Sequence, residues 1–351
     1  MSVPVHVSRE AGPGERGRAF GRANADAVAH AAGRYRVLFR AVAGLGDEDV
    51  RALALAAGET VAARHPELVE EMAGIAAGAG VAEAAVLALN ARTEILAGAG
   101  PPECSAVAMT APGACLMAQN WDWHPDLAPA RVVWLVEDPN LGWWCTLTEA
   151  GILAKIGLSG RGLGVLLNLL LTTADGGSGG MPVHLLIRLV LARAADLEEA
   201  RAILAAHRVT ASSTLTVGTP GAAVALELTP GGLAALGPDD EGLLAHTNHC
   251  LVAPPEGRDR VPGEYPGSLL RLPDVRAALA SAPATLPAVR AALASHVNAP
   301  LSVCAHEEPS APLTERRATL AAVAMDLAAR RMWVSDGPPC AAPFEEIPLP
   351  A

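Results

Sequence analysis

Three short segments of the sequence carry side chains that could perform chemistry. Cys104 follows a Gly/Pro-rich stretch and precedes an apolar run typical of a strand. Gln119–Trp123 places two amides, a carboxylate and two indoles side by side, and His246–Cys250 gathers two imidazoles, an amide and a thiol. A cysteine can act as a nucleophile, and nearby amides and acids can orient and stabilise its reactions. Taken alone, however, Cys104 is more simply interpreted as an inert thiol at a loop-to-strand junction.

The elements that must position these groups change character at Cys104. Before it, apolar residues recur with helical periodicity from Pro66 onward, and proline suits the first turn of a helix. Gly78 and Gly80 are expected to end this helix, and Val81–Leu96 supplies another apolar-faced stretch. The first part of the chain is therefore predicted to be helical.

A sharp break separates this helical part from Cys104. Gly98–Pro102 reads Gly-Ala-Gly-Pro-Pro, which cannot continue a helix and predicts a loop. Only Glu103 lies between that loop and Cys104. No other boundary in the chain is as clearly marked.

Beyond Cys104 the pattern changes to short apolar strands separated by turn residues. Strands are predicted at Val132–Val136, Trp143–Thr148, Ile152–Ile156, Val165–Leu171, Thr214–Val217, Val224–Leu228, Leu233–Leu236, Thr319–Met325 and Arg331–Val334. Helices are predicted at Met181–Ala194, Asp196–His207, Asp274–Ala280 and Leu286–His296. Asp196 and Glu199 have the spacing of a capping box. Strands in runs and helices in blocks indicate an α+β fold built in layers.

Composition and charge exclude several classes of protein. The net charge of −11 lacks the basic stripe that a nucleic-acid binder or a polybasic membrane-surface protein needs. No stretch approaches the roughly 18 apolar residues of a membrane span, and no signal segment opens the sequence. The six cysteines are scattered, without C-x-x-C pairs or metal-ligand spacing. The sequence therefore predicts a cytoplasmic protein with reduced thiols.

An ordered set of motifs covers most of the chain. They are Gly74–Ala79, Leu89–Glu94, Cys104-Ser105, Gln119–Asp122, Thr148–Ile152, Lys155–Gly157, Thr247–Leu251 and Ser302–Cys304. In order and spacing this set resembles the cysteine-nucleophile family, peptidase family C45, exemplified by acyl-coenzyme A:6-aminopenicillanate acyltransferase. A single Asn-Trp-Asp would mean little, whereas the ordered set is specific.

The resemblance implies a four-layer αββα sandwich of the N-terminal-nucleophile (Ntn) hydrolase type. Such proteins are made as precursors that cut themselves before the nucleophile. Carried over, the scissile bond is Glu103–Cys104, which gives fragments 1–103 and 104–351 that together form one domain as a self-processed heterodimer. The free α-amine of Cys104, with an ordinary pKa of about 7.7–8.0, would then be the general base for its own thiol.

The resemblance also assigns roles to neighbouring residues. Asn248 corresponds to an oxyanion-hole donor, and Asp122 to an aspartate that orders the site and meets a polar substrate group. Ser105 corresponds to a hydroxyl near the scissile carbonyl, and Trp121 and Trp123 are candidate substrate contacts. The structural alternatives are a turn-stabilising Asn248, a strand-end carboxylate, a plain strand hydroxyl and two core indoles.

Asn90, Arg92 and Glu94, which belong to one of the motifs, are interpreted as structural. They are expected to form a buried polar network that holds the two fragments together.

Two positions depart from the family pattern. The arginine expected just after Ser302–Cys304 is absent, which puts a penicillin-type substrate in doubt, and Arg316 or Arg317 could supply a cation instead. Glu103 stands where the penicillin enzyme has glycine, which could slow self-cleavage or tune it with pH. Neither departure alters Cys104.

Other possible sites carry weaker signals. The glycines at 160, 162 and 164 precede a strand and not a helix, so they do not form a phosphate-binding loop. Gly176–Gly180 lacks the lysine of a P-loop and is interpreted as a flexible loop near the site mouth. His246, His249 and Cys250 lack a further ligand for zinc, so we expect neither a metal nor a cofactor.

The sequence thus predicts an autoprocessed cysteine amidohydrolase or acyltransferase that acts on a small acylated amine or peptide-like amide through an acyl-Cys104 thioester. Hydrolysis is favoured over transfer because water is always available and the family arginine is missing. The alternatives are a coenzyme A-dependent N-acyltransferase of specialised metabolism, with acyl-coenzyme A as a further partner, and a non-cleaving pseudoenzyme that binds acylated ligands.

Overall fold

The computed structural model of the chain describes residues 3–96 and 104–350. The loop expected at Gly98–Pro102 and the residue Glu103 lie outside the described residues. None of the described helices is both long and apolar enough to cross a membrane.

The first part of the chain is helical, as predicted, apart from one short strand. It comprises β1 (Val5–Ser8), α1 (Pro13–Ala23), α2 (Ala25–Ala43), α3 (Asp47–Ala62), α4 (Pro66–Ala79), α5 (Glu83–Asn90) and α6 (Arg92–Leu96). Helix α4 begins at Pro66 as expected, but it ends at Gly80 (φ +70°) and not at Gly78. Gly78 lies inside α4, where a Cβ would sit 2.3 Å from the backbone oxygen of Arg18, so its glycine serves the close packing of α4 against α1 and does not end the helix.

The remainder of the chain builds two sheets. Their strands are β2 (Cys104–Ala111), β3 (Ala114–Trp123), β4 (Arg131–Asp138), β5 (Gly142–Glu149), β6 (Ile156–Ser159), β7 (Gly164–Leu169), β8 (Ser213–Thr219), β9 (Ala222–Thr229), β10 (Gly232–Leu236), β11 (Leu243–His246), β12 (Ala318–Asp326), β13 (Arg331–Ser335) and β14 (Phe344–Glu346). The eight-stranded sheet has the order β1-β4-β5-β6-β7-β8-β9-β10, and the six-stranded sheet has the order β11-β2-β3-β12-β13-β14. Only the β1–β4 pair is parallel among these pairings.

Helices cover the outer face of each sheet. The eight-stranded sheet carries α7 (Val183–Arg193) and α8 (Leu197–Ala205). The six-stranded sheet carries α10 (Gly267–Leu279) and α11 (Leu286–Leu293), and α9 (Val261–Glu264) precedes α10. Because the inner faces of the two sheets pack together, the fold is α+β with four αββα layers, which confirms the predicted class.

Two elements differ from the predictions in ways that affect the site. The strand expected at Ile152–Ile156 is wrong, since β6 only begins at Ile156. The backbone turns at Gly151 (φ +101°), and the Asn90 side chain bonds the oxygen of Gly151 (2.8 Å) and the nitrogen of Leu153 (2.9 Å) in place of a neighbouring strand. Helix α10 begins seven residues before the predicted Asp274, so that Pro273 lies inside it.

Candidate active site

Cys104 is the first residue of β2, and its side chain is only 8% exposed. It pairs with Trp121 on β3, and directly opposed residues project from the same face of a sheet. Gln119 lies two residues earlier on that face and reaches the eight-stranded sheet, where its amide donates to the oxygen of Leu167 and accepts from the nitrogen of Leu167 (3.0 Å). The Cys104 thiol is therefore directed into the space between the two sheets.

Asn248 connects three elements at Cys104. Its side-chain oxygen accepts hydrogen bonds from the backbone nitrogen of Cys104 (2.8 Å) and from Nη2 of Arg271 on α10 (2.6 Å). Its side-chain nitrogen donates to the backbone oxygen of Leu169 at the end of β7 (3.0 Å). With both ends engaged, the amide has one orientation, and its oxygen faces the nitrogen of Cys104.

The segment that carries Asn248 is fixed by buried polar side chains. The Oγ atom of Ser268 accepts from the backbone nitrogen of Asn248 (2.8 Å) and lies 2.8 Å from Nδ1 of His249. Glu227 lies 2.9 Å from Nε2 of His246. Burial lowers the pKa of His249 to about 4, so this imidazole is neutral at pH 7. Both histidines thus position the loop.

Asp122 and Ser105 project from the other side of the six-stranded sheet, because neighbouring strand residues alternate. Asp122 accepts a hydrogen bond from Oγ1 of Thr319 on β12 (2.5 Å), while its backbone oxygen lies 3.9 Å from the sulfur of Cys104. Ser105 is fully buried opposite Asn120. Asp122 therefore contacts Cys104 through its main chain, and Ser105 lies on the face away from the thiol.

A narrow, largely apolar pocket opens at the thiol. Its lining residues come from four strands (β2, β3, β6 and β7), from the residue before β6 and from α6: Arg92, Cys104, Gln119, Trp121, Asp122, Trp123, Lys155, Ile156, Leu167 and Leu169. The structure thus brings Cys104, Asp122 and the two predicted tryptophans together. Asn248 is connected to this group by the hydrogen bond that its side-chain oxygen accepts from the nitrogen of Cys104.

A buried charged cluster forms one wall of this pocket. Lys155 lies 3.8 Å above the ring of Trp121 and donates to Glu149, which also accepts from the hydroxyl of Tyr35 (2.5 Å). Arg92 approaches Glu149 at 3.6 Å and lies over the ring of Trp123. Burial and the charge of Arg92 lower the pKa of Lys155 to about 7. Burial opposes ionisation of Glu149, but Lys155 and Arg92 outweigh it and hold its pKa below the ordinary value.

The polar residues expected to join the two parts of the chain do so. Asn90 bonds the turn at Gly151, and Arg92 reaches Glu149. Glu94 accepts from the backbone nitrogen of Val183 at the start of α7 (2.9 Å), and burial raises the pKa of Glu94 to about 7. Each contact crosses from the helical part before residue 97 to the part that begins at Cys104.

The surroundings of Cys104 keep its thiol protonated. Burial, followed by the carboxylate of Asp122, raises the pKa of Cys104 to about 12, although the charges of Lys155 and Arg271 oppose this shift. Because the thiolate is the reactive form, an uncleaved chain needs a base or a favourable charge to activate Cys104.

Two cations at the site were not predicted from the sequence. Arg271 is fully buried and touches Asn248, whereas Arg316 and Arg317 bond to backbone oxygens of their own loop region, at Pro309 and Pro300. Lys155 is the single lysine of the chain. That singularity is a signal in the sequence, because arginine supplies every other side-chain cation and a lysine within an apolar segment is usually paired when it is buried.

Sequence comparisons relate this chain to a known family. The sequence profile of the acyl-coenzyme A:6-aminopenicillanic acid acyl-transferase family matches residues 109–339, which begin five positions after Cys104. The chain is 29% identical over 280 residues to the 40 kDa form of acyl-coenzyme A:6-aminopenicillanic-acid-acyltransferase from Emericella nidulans, covering 79% of this chain and 76% of that protein.

Solved structures give weaker likenesses. Penicillin V acylase from Agrobacterium tumefaciens has a TM-score of 0.45 at 13% identity and covers 66% of this chain and 82% of its own. A mutant of conjugated bile acid hydrolase from Clostridium perfringens has a TM-score of 0.38 at 14% identity, with 70% and 97% covered. At these scores neither likeness carries the fold assignment, which rests on the layers themselves.

The family profile spans well over half of the 351 residues and includes Asp122, Lys155, Asn248 and Arg271. It confirms the resemblance drawn from the ordered motifs. The chain belongs to the acyl-coenzyme A:6-aminopenicillanic acid acyl-transferase family.

Proposed function

We propose that this protein is an autoprocessed cysteine amidohydrolase or acyltransferase whose nucleophile is Cys104. The observation that carries the proposal is the hydrogen bond from the Cys104 nitrogen to the Asn248 oxygen. It places the nitrogen that would become the free amine in a fixed position while the sulfur of the same residue faces the pocket.

Self-cleavage would divide the chain into residues 1–103 and 104–351. The sulfur of Cys104 attacks the carbonyl carbon of Glu103, the peptide C–N bond breaks, and the thiol proton moves to the departing nitrogen. Water then hydrolyses the thioester, which leaves a Glu103 carboxylate and a free Cys104 amine. The contacts of Asn90, Arg92 and Glu94 would keep the two fragments assembled.

In the mature enzyme the α-amine of Cys104 takes the proton of its own thiol, and the sulfur attacks the amide carbon of the substrate. The proton passes to the leaving amine, and an acyl-Cys104 thioester remains. Water or a second amine, deprotonated by the same α-amine, then attacks the thioester and releases a free acid or a new amide. This cycle follows the logic of N-terminal nucleophiles, in which one residue supplies both nucleophile and base.

Asn248 and Lys155 would supply the electrostatic support. The Asn248 side-chain nitrogen carries two hydrogens and commits one to Leu169, so the second remains for a developing oxyanion. The charge of Lys155 lowers the pKa of Cys104 and so favours the thiolate. Arg271 holds the Asn248 oxygen and thereby the orientation of the amide.

The pocket lining favours an apolar acyl group. Trp121, Trp123, Ile156, Leu167 and Leu169 present rings and branched chains around the thiol. The curated relative is named for acyl-coenzyme A and 6-aminopenicillanic acid. We propose a small acylated amine or peptide-like amide as substrate for this chain, with hydrolysis as the principal reaction.

Trapping the acyl-enzyme tests this proposal. The protein is mixed with a panel of acyl-amides and acyl-coenzyme A thioesters, quenched in acid and weighed by mass spectrometry. We expect the fragment that begins at Cys104 to gain the mass of the acyl group, and C104A to gain none. Free acid as the product indicates hydrolysis, whereas a new amide formed only with an added amine and acyl-coenzyme A indicates the transferase. Binding of these ligands without any covalent adduct or turnover would contradict the proposal and indicate a ligand-binding pseudoenzyme.

A further inference from the structure

Four metal-ligating side chains meet at the far side of the six-stranded sheet, outside the candidate active site. His296 follows α11, Cys304 and His306 lie on the connection from α11 to β12, and Cys340 lies between β13 and β14. One ligand atom from each residue lies within 4.8 Å of the other three. We propose that these four residues bind a structural zinc ion; below they are called the Cys2His2 cluster.

Four of the six distances among these atoms are close to the edges of a zinc tetrahedron, and the two from His296 to the sulfurs lie within 4.8 Å. With Zn–S bonds of about 2.3 Å and Zn–N bonds of about 2.0–2.1 Å, tetrahedral edges are about 3.8 Å for S–S, about 3.6 Å for S–N and about 3.3 Å for N–N. The Cys304 and Cys340 sulfurs are 3.6 Å apart, Nε2 of His306 lies 3.7 and 3.4 Å from them, and the Nε2 atoms of His296 and His306 are 3.0 Å apart. These four edges fall within about 0.3 Å of the tetrahedral values.

Backbone contacts hold the ligands together independently of their side chains. The nitrogen of Cys304 donates to the oxygen of Ser295, the residue before His296 (3.0 Å). Arg290 on α11 donates to the oxygen of Pro339, beside Cys340 (3.3 Å). Because a backbone hydrogen bond and the Arg290 side chain already bring the three ligand-bearing segments together, little further ordering is needed to bind an ion.

The donor chemistry selects zinc. Two thiolates and two neutral imidazoles neutralise a divalent cation, and a closed Cys2His2 set is typical of structural zinc sites. Cys304 is buried, while His296, His306 and Cys340 are exposed and give the ion a path from solvent. All four positions are filled by protein, so this ion would have no open site for catalysis.

A bound zinc would stabilise the connection that supports Asp122. The backbone nitrogen of Ala305, between Cys304 and His306, donates to Oγ1 of Thr319 (2.9 Å), which in turn donates to the Asp122 carboxylate (2.5 Å). Zinc would therefore fix the backbone at Ala305, which is one end of this series of hydrogen bonds. Its role is structural, and any effect on the active site would pass through Thr319.

Metal analysis of the full-length protein, purified without a polyhistidine tag, tests the proposal. We expect one zinc ion per chain by elemental mass spectrometry. Cobalt added after chelation should give the intense visible bands of tetrahedral thiolate coordination. C304S and C340S should bind zinc at least about 100-fold more weakly, since even outer-shell changes cost about 10–100-fold.

The matched control is C250S, which removes a half-buried thiol outside the Cys2His2 cluster and should keep the full zinc content. Because C304S or C340S could fail to fold, the cobalt spectrum of the unsubstituted protein decides alone. Absence of the thiolate bands from folded protein would overturn the proposal. So would a disulfide between Cys304 and Cys340, identified by peptide mass spectrometry of unreduced protein.

Discussion

Cys104 and the pair Cys304 and Cys340 carry the same thiol in opposite surroundings. Cys104 is the first residue of β2 and shares its pocket with the indoles of Trp121 and Trp123. The Asn248 side chain bonds its nitrogen, and the charges of Lys155 and Arg271 lower the pKa of its thiol. Cys304 and Cys340 lie 3.6 Å apart beside two imidazoles. A single thiol facing a pocket suits nucleophilic attack, whereas paired thiols with imidazoles suit metal binding. The neighbours of each cysteine, and not the residue type, thus decide its chemistry.

Alanine substitution of one cysteine of each kind tests this difference with the largest expected effect. We expect C104A to lose at least about 10⁴-fold in kcat/KM, because the nucleophile and its amine-bearing residue are one unit. C304A should keep its turnover when assayed below its unfolding temperature. Steady-state kinetics on the best substrate from the acyl-amide panel measures both. Equal losses of kcat/KM in C104A and C304A would contradict the assignment of Cys104 as the nucleophile and Cys304 as a metal ligand.

Asn248 provides the next largest effect. N248A should lose about 10²–10³-fold in kcat, the usual cost of removing an oxyanion donor, and should also slow self-cleavage. Asn140→Ala, which changes an exposed turn on the β4–β5 connection, is the control and should keep full activity. A loss confined to KM would show that Asn248 contributes only to ground-state binding.

The pH dependence of self-cleavage tests whether ionisation of the Cys104 thiol limits the reaction. Because the pKa of its thiol is raised to about 12 in the intact chain, the thiol is protonated at neutral pH. The thiolate population, and with it the cleavage rate, should rise with pH above pH 7, but by less than tenfold per unit, because Lys155, with a pKa of about 7, loses the charge that favours the thiolate. Freshly synthesised cell-free protein, shifted to buffers of increasing pH and followed by gel densitometry, gives these rates. A rate independent of pH would mean that thiol ionisation does not limit cleavage.

Lys155 should give the smallest of these effects. K155M removes a charge that lowers the pKa of Cys104, and a change of one pKa unit corresponds to about tenfold in thiolate population. We expect cleavage and turnover to slow by about that factor at neutral pH and to recover partly at higher pH. R161M, at an exposed arginine, is the control. If K155M kept the pH profile of the unsubstituted protein, the role of Lys155 would be limited to its ion pair with Glu149.

The α+β class could be predicted from strand and helix periodicities, which are local, and the four-layer arrangement from the family resemblance. The ordered motifs indicated Cys104, Asp122 and the two tryptophans, which the structure brings to one pocket. Arg271 was missed because it lies before the helix predicted at Asp274–Ala280, whereas α10 begins at Gly267 and includes it. The strand expected at Ile152–Ile156 failed because Asn90, distant in sequence, bonds that backbone.

The Cys2His2 cluster was missed for a related reason. His296 and Cys340 lie far apart in the chain, and only the folding of the α11–β12 connection against the β13–β14 turn brings them together. Sequence spacing predicts metal sites when all ligands share one loop or helix, whereas here the fourth ligand, Cys340, lies on a different connection.

Intact-mass analysis of the purified protein tests the central claim most directly. We expect two co-purifying fragments, residues 1–103 and residues 104–351. A thioester probe, which couples stably only to an N-terminal cysteine, should label the larger fragment, and C104A should remain one unlabelled chain. A permanently single chain of 351 residues would contradict self-cleavage. A C104A protein that still divides at the same bond would contradict the assignment of Cys104 as the nucleophile.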